Sequence, residues 1–401
     1  MNTRTPRTLV PLLALLNSLG PLAFDMYLPS LPTLQSALHA SAAGVQLTLS
    51  AFLIGLAAGT LIYGPLSDRY GRRPVLLGGL VLYTVSGLFC ALVSSLPAMI
   101  LFRFFSAVGA AAGMVLSRVI IRDYFPPRET ARLISLMAMI MLTGPLVSPM
   151  IGGHLLVFLG WRSIFVLLAA LGGIALILAA AVLAESHPPG RRNPLNLRTT
   201  LQAYATILTD RTGLGYALCM AMSAGVMYTY ITSSSFVFIE VYGITPEHFG
   251  YVYGVVVAGL LAGNYTNSHI VMRTRVHQLI SSALVLRLLA VTGLFVLVYM
   301  AGSGRLLAGA VALMMFAVGA SALITPNITA DMLHRFPTVS GTASAVLGAS
   351  NFTSGALAGV IAGLLHDGTA LPMALMMLVF ACGSAAAYWL IARPAQAQTF
   401  T

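Results

Sequence analysis

Among the ionisable side chains inside long apolar runs of this sequence, Asp25, Arg103 and Arg287 stand deepest. A charge in such a run is costly to place, so each is a functional candidate by default. A carboxylate beside a guanidinium can do proton chemistry, because the arginine lets the acid shed and regain its proton. The bland alternative is a static ion pair that only locks two helices together. No nucleophile–base set appears, no His or Cys pair stands at metal-ligand spacing, and no Gly-Lys-Ser/Thr loop could cradle a phosphate. The expectation is therefore no catalytic centre, no metal and no organic cofactor.

A second group mixes rings with hydroxyls and amides. Tyr228, Tyr230 and Phe236 are interleaved with Thr229 and Ser233 to Ser235, and Tyr253, Asn327 and Asn351 follow. Such residues suit an amphipathic small molecule, through stacking and adaptable hydrogen bonds. Some of the tyrosines could instead belong to an interfacial aromatic belt. Arg287 lies about 16 Å into its apolar run at 1.5 Å per residue. It either lines a cavity or bonds to a neighbour's carbonyls.

The elements that must position these residues follow from composition. Hydrophobic residues make up 58% of the 401, and charged ones only 8%. So much apolar surface fits an all-α membrane protein and excludes an ordinary soluble enzyme. Runs long enough to span lie at about 9–28, 42–63, 74–94, 97–119, 132–155 and 163–184, then 213–239, 248–268, 277–299, 305–327, 341–364 and 371–392. That makes about twelve spans, the first of which can continue past Pro29. Glycines dilute the signal most around 341–364.

The net charge of +11 comes from arginines scattered between apolar runs, a pattern of orientation signals rather than of nucleic-acid binding. One alternating set of loops holds Arg69, Arg72, Arg73, Arg122, Arg191, Arg192, Arg273 and Arg335, and the other little beyond Arg162 and Arg305. The positive-inside rule then puts both termini and the first set in the cytoplasm, at a bacterial inner membrane. The polar stretch 185–212 reads as a cytoplasmic linker between bundles at 1–184 and 213–401. A weak repeat supports the division: the turn from Gly64 to Arg73 recurs as Gly263 to Arg275. Three cysteines inside apolar runs argue for free thiols.

Gly64-Pro-Leu-Ser-Asp68-Arg69-Tyr-Gly71-Arg72-Arg73 resembles the loop 2–3 signature of the major facilitator superfamily. Gly144-Pro145 with Gly152-Gly153 looks like the antiporter motif of its drug exporters. Phe24-Asp25-Met26-Tyr27-Leu28-Pro29 with Arg103-Phe104-Phe105 looks like the Bcr/CflA (bicyclomycin-resistance) group of drug:proton antiporters. Ser106 and Ala107 depart from that group's pattern after the arginine. The resemblance implies a major facilitator fold of two six-helix bundles. It implies export of a small drug or metabolite with the proton as coupling ion, and the alternative is a proton-coupled symporter or exporter of one nutrient or metabolite. It further implies a cytoplasmic gate of Gly64, Asp68, Arg69, Gly71, Arg72, Arg73 and Asp123, and a tight seam of the helix-five glycines, for which Gly250, Gly254, Gly259 and Gly263 of helix eight are the expected partners. Asp25 and Arg103 would couple the proton, at similar depths of about 5–9 Å below one face. The expected partners are the substrate and membrane lipid, with no nucleic acid, and a monomer is expected.

Overall fold

The computed structural model describes residues 9–187, 197–301 and 306–393, and these are helical almost throughout. In chain order the helices are α1 (Leu9–Asp25), α2 (Leu31–Ala37), α3 (Ala42–Tyr70), α4 (Arg72–Leu92), α5 (Leu96–Tyr124), α6 (Pro127–Leu159) and α7 (Arg162–Val182). Then come α8 (Leu197–Thr209), α9 (Arg211–Ser235), α10 (Pro246–Ile270), α11 (Val276–Ala301), α12 (Leu307–Gly319), α13 (Ser321–Arg335), α14 (Ser340–Leu364) and α15 (Leu371–Ala386). A 3-10 turn, Leu28–Ser30, joins α1 to α2, and π-helical turns extend α9 and α15. Pro29 and Pro32 start their short elements, where a missing N–H costs nothing.

Eleven helical stretches among the described residues are long and apolar enough to cross a membrane, and the first runs on to Ala37. The expected span at 248–268 is α10, whose 25 residues carry glycine, tyrosine, asparagine and threonine enough to fall outside that set. Dilution therefore acts at α10 and not at 341–364, where α14 qualifies. The tenth span is longer than expected, ending at Arg335. That longer end takes in Asp331, whose carboxylate accepts a hydrogen bond from the Tyr216 hydroxyl. Within the linker, residues 188–196 lie outside the described residues, and the rest is not all loop, since α8 forms there.

The chain divides into two compact units: Met1–Ala40 with Ala51–Leu195, and Ser41–Ser50 with Asn196–Thr401. In the first, α5 is approached closely by its neighbours because its facing residues are small. A Cβ on Gly109 would fall on the Tyr83 amide of α4, and one on Gly113 would meet the Leu16 carbonyl of α1 at 2.5 Å. Membrane helices gain contact and dispersion energy from such small-residue seams. In the second unit, α10 meets α12 in the same way, Gly259 against the Met315 carbonyl and Gly263 against the Gly319 carbonyl. A core of Tyr216, Met220, Ile280, Leu284, Ile324, Ile328, Val346 and Tyr388 joins α9, α11, α13, α14 and the end of α15, and takes in Ile207 of α8.

Asp210 fixes where α9 begins. Its Oδ1 accepts from the Gly213 amide at 2.8 Å, and Arg335 at the end of α13 donates to both its oxygens, at 3.1 and 3.0 Å. Burial pushes this carboxyl up. The Arg335 hydrogen bonds, the Gly213 amide and the Arg335 charge outweigh it and hold the group below its usual range. A lowered carboxyl contributes stability above its unfolded value, near 3.9, and loses it as pH falls through the folded value. Asp210→Asn keeps the cap and loses the ion pair. Thermal melts in detergent are expected to show a loss of about 1 kcal/mol or less at pH 7, and the difference from wild type is expected to disappear on acidification below about pH 4.

Candidate functional site

The turn between α3 and α4 is a single residue, Gly71, at φ 100° and ψ 156°. A side chain is strained at that φ, so glycine alone closes the turn at no cost. Arg72 follows and is nearly buried. Its Nη1 donates to Ser67 Oγ and Asp68 Oδ1, both at 2.5 Å, and its Nε reaches Asp123 Oδ2 at the end of α5 at 3.5 Å. The structure thus brings Asp68, Arg72 and Asp123 into one charge network. Arg69 is exposed and lies over the Tyr70 ring at 5.1 Å, while Arg73 donates to the Ala180 carbonyl at 2.8 Å. A Cβ on Gly64 would meet nothing within 4 Å.

Arg103, on α5, is 1% exposed, and Asp25, at the end of α1, is 3% exposed. The Arg103 guanidinium donates through Nη1 to the Ala23 carbonyl at 3.0 Å. Its carbon lies 4.5 Å from the Tyr27 ring centre, 4.1 Å from that of Phe52 and 5.9 Å from that of Phe165. Ring faces carry negative potential and stabilise a desolvated cation. Nε and Nη2 have no hydrogen-bond acceptor among the described residues. A carbonyl and three rings therefore seat Arg103, and the carbonyl lies two residues from Asp25 on the same helix. The rings were not among the expected site residues. Tyr27 was legible only as part of a motif, and nothing in spacing ties Phe52 or Phe165 to position 103.

The two glycine pairs of α6 differ. Gly152 is buried, and a Cβ there would fall on the Met26 carbonyl. Gly153 is buried beside it. At Gly144 a Cβ would meet nothing within 4 Å. Pro145 and Pro149 both sit inside the helix, and Ser148 Oγ donates back to the Gly144 carbonyl at 2.6 Å, a bond that favours bending next to proline.

In the second unit, Tyr230 and Tyr253 stack with centroids 5.5 Å apart, and the Tyr230 hydroxyl donates to the Tyr253 carbonyl at 3.4 Å. Phe238 and Phe249 complete this buried cluster, and Phe236 packs on His366 at 5.1 Å. Tyr228 is half-buried and covers Gly355, and Asn351 is half-buried on α14. Asn327 donates to Asn267 Oδ1 at 2.7 Å, linking α13 to α10. Arg287 is wholly buried and donates to Ser223 Oγ at 2.5 Å and Ser321 Oγ at 2.7 Å. It is bonded to hydroxyls of α9 and α13 rather than to backbone carbonyls.

The sequence reading places Glu185 and Ser186 only at the start of the linker, with no part in the site. Glu185 accepts the Arg72 amide at 2.9 Å, and Ser186 donates to Asp123 at 2.9 Å. An acid just past a span, on the Arg-rich side of the chain, was the available signal.

Apolar helices in two units, guanidiniums buried within them and a charged one-residue turn define a polytopic membrane transporter. Residues 13–363 match the Major Facilitator Superfamily, and the chain belongs to that family. It is 34% identical to the "Uncharacterized MFS-type transporter YdgK" of Bacillus subtilis (strain 168), over 92% of both chains. It is 31% identical to a chloramphenicol resistance protein of Pseudomonas aeruginosa, over 93% of this chain and 88% of the other. The likeness to the bicyclomycin-resistance group is matched by a "Bicyclomycin resistance protein homolog" of Haemophilus influenzae, 29% identical over 94% of each. Among solved structures, a bacterial homolog of the human lysosomal transporter Spinster superimposes with a TM-score of 0.78, covering 99% of each chain at 18% identity.

The glycine geometry separates two substitutions that the motif alone treats alike. Gly152→Ala is expected to lower the yield of folded protein and its melting temperature, since α6 must move off Met26 at a cost of about 1–3 kcal/mol. Gly144→Ala is expected to leave both unchanged. Fluorescence-detected size exclusion after a heat step measures the pair side by side.

Proposed function

We propose that the chain is a proton-coupled antiporter that exports small amphipathic antimicrobial or metabolite molecules across the bacterial inner membrane, with both termini in the cytoplasm. The observation that carries this reading is the burial of Asp25 and of Arg103, the latter bonded to the Ala23 carbonyl two residues before Asp25. Drug-resistance relatives that match almost the whole chain support the substrate class. Asp25 is the proton carrier. Arg103, bonded to the carbonyl two residues before Asp25 and with Nε and Nη2 open as donors among the described residues, is its cationic partner. The Asp68–Arg72–Asp123 network is the gate at the cytoplasmic end. The aromatic and amide residues of the second unit, Tyr228, Tyr230, Phe236, Tyr253, Asn327 and Asn351, are the candidates for contact with substrate. Arg287, held between two serines, keeps its place among them as the one cationic candidate.

Cells lacking their own efflux systems and expressing this chain are expected to accumulate less chloramphenicol or bicyclomycin than controls. A proton uncoupler is expected to erase the difference. In proteoliposomes Asp25→Asn cannot lose a proton and is expected to abolish drug-dependent proton movement. Arg103→Lys keeps the charge but loses the planar fork, so its proton flux is expected between wild type and Arg103→Ala. Export by Asp25→Asn that still follows the pH gradient would show that this residue is not the carrier.

A further inference from the structure

The first turn of α4 is capped by a residue from the segment that follows α7. A helix start leaves amides unbonded and favours an anion beside them. The residue at the cap position, Gly71, has no side chain to answer that need. Glu185, three residues past the end of α7, answers it instead. Its Oε1 accepts the Arg72 amide at 2.9 Å and its Oε2 the Arg73 amide at 3.3 Å. Oε1 also accepts the His187 amide at 2.9 Å, which orients the carboxylate from its own side.

Three further bonds fasten the same segment. Ser186 Oγ donates to Asp123 Oδ2 at 2.9 Å, the oxygen that Arg72 Nε approaches at 3.5 Å. Tyr124, next to Asp123, donates its hydroxyl to the Ala184 carbonyl at 3.2 Å. Arg73 reaches the Ala180 carbonyl. The exit of α7 therefore touches both sides of the charge network, the α4 amides and the Asp123 carboxylate.

We propose that Glu185 is a positioning residue of the gate: its carboxylate caps α4, holds Arg72 between Asp68 and Asp123, and fastens the exit of α7 to the α3–α4 turn. The proposal rests on the reading of that turn as a gate. When the gate opens, the segment 183–187 must release α4 or travel with it. Glu185 acts through Arg72 and touches no substrate.

Amide hydrogen exchange on the full-length protein in phospholipid nanodiscs tests this with no substrate needed. Glu185→Ala is expected to speed exchange across 70–76 roughly fivefold, the scale of a lost helix cap, with α14 unchanged. Glu185→Gln keeps one acceptor oxygen, and its exchange is expected to lie between the two. Combined with Asp68→Asn, Glu185→Ala is expected to add less than its separate effect, because both substitutions loosen Arg72. Unchanged exchange at 70–76, a uniform rise over the whole chain, or simple additivity with Asp68→Asn would each overturn the proposal. Full transport by Asp68→Asn would sink the gate reading on its own, and it would leave the measured contact between Glu185 and α4 standing.

Discussion

A guanidinium buried among apolar helices in a membrane has to be answered by the protein, because hydrocarbon offers neither water nor counter-ion. Much of this structure is arranged around three such answers. Arg103 is met by the Ala23 carbonyl and by rings from the end of α1, from α3 and from α7. Arg287 is met by hydroxyls from α9 and α13. Arg72 is met by carboxylates at the ends of α3 and α5. Each cation gathers helices distant in sequence, so the charges serve as assembly points for the bundles. Small residues then let the backbones close in around them, as Gly109 and Gly113 do on α5.

The three answers differ in how readily they can be undone. Arg103 and Arg287 are sealed, and removing their partners would strand a charge at depth. Asp68 is about half exposed, with 51% of its side-chain surface open. An ion pair with one partner so solvated contributes about 1 kcal/mol or less, which a modest rearrangement can supply. The network proposed as the gate therefore lies where one of its partners is open to solvent.

Much of the helical layout was legible because the apolar runs are long enough to span and recur along the chain. The Asp68–Arg72–Asp123 network was legible through its motif. A boundary failed at Leu307–Arg335, which runs on past the expected 327 and takes in Asp331, the acceptor of the Tyr216 hydroxyl, whereas α10, polar for a membrane helix, was still placed within two residues at each end. The rings around Arg103 and the serines around Arg287 could not be read at all. A cation–ring contact depends on which helices pass one another, and no spacing within one helix encodes that. Glu185 shows the same limit, since a cap supplied from more than 100 residues away leaves no local pattern, as the 113-residue separation from Arg72 illustrates.

The joint at Gly71 has an evolutionary corollary. An α-helix turns about 100° per residue, and a one-residue connection has no slack to absorb a change in length. One inserted residue would swing the arginine that follows out of register with Asp123 and turn the buried stripe of α4 away from α5. Descendants of this chain can therefore vary the chemistry around the joint, but insertions and deletions there are closed to them. The 271–275 connection between α10 and α11, which holds five residues, leaves that freedom open in the other half.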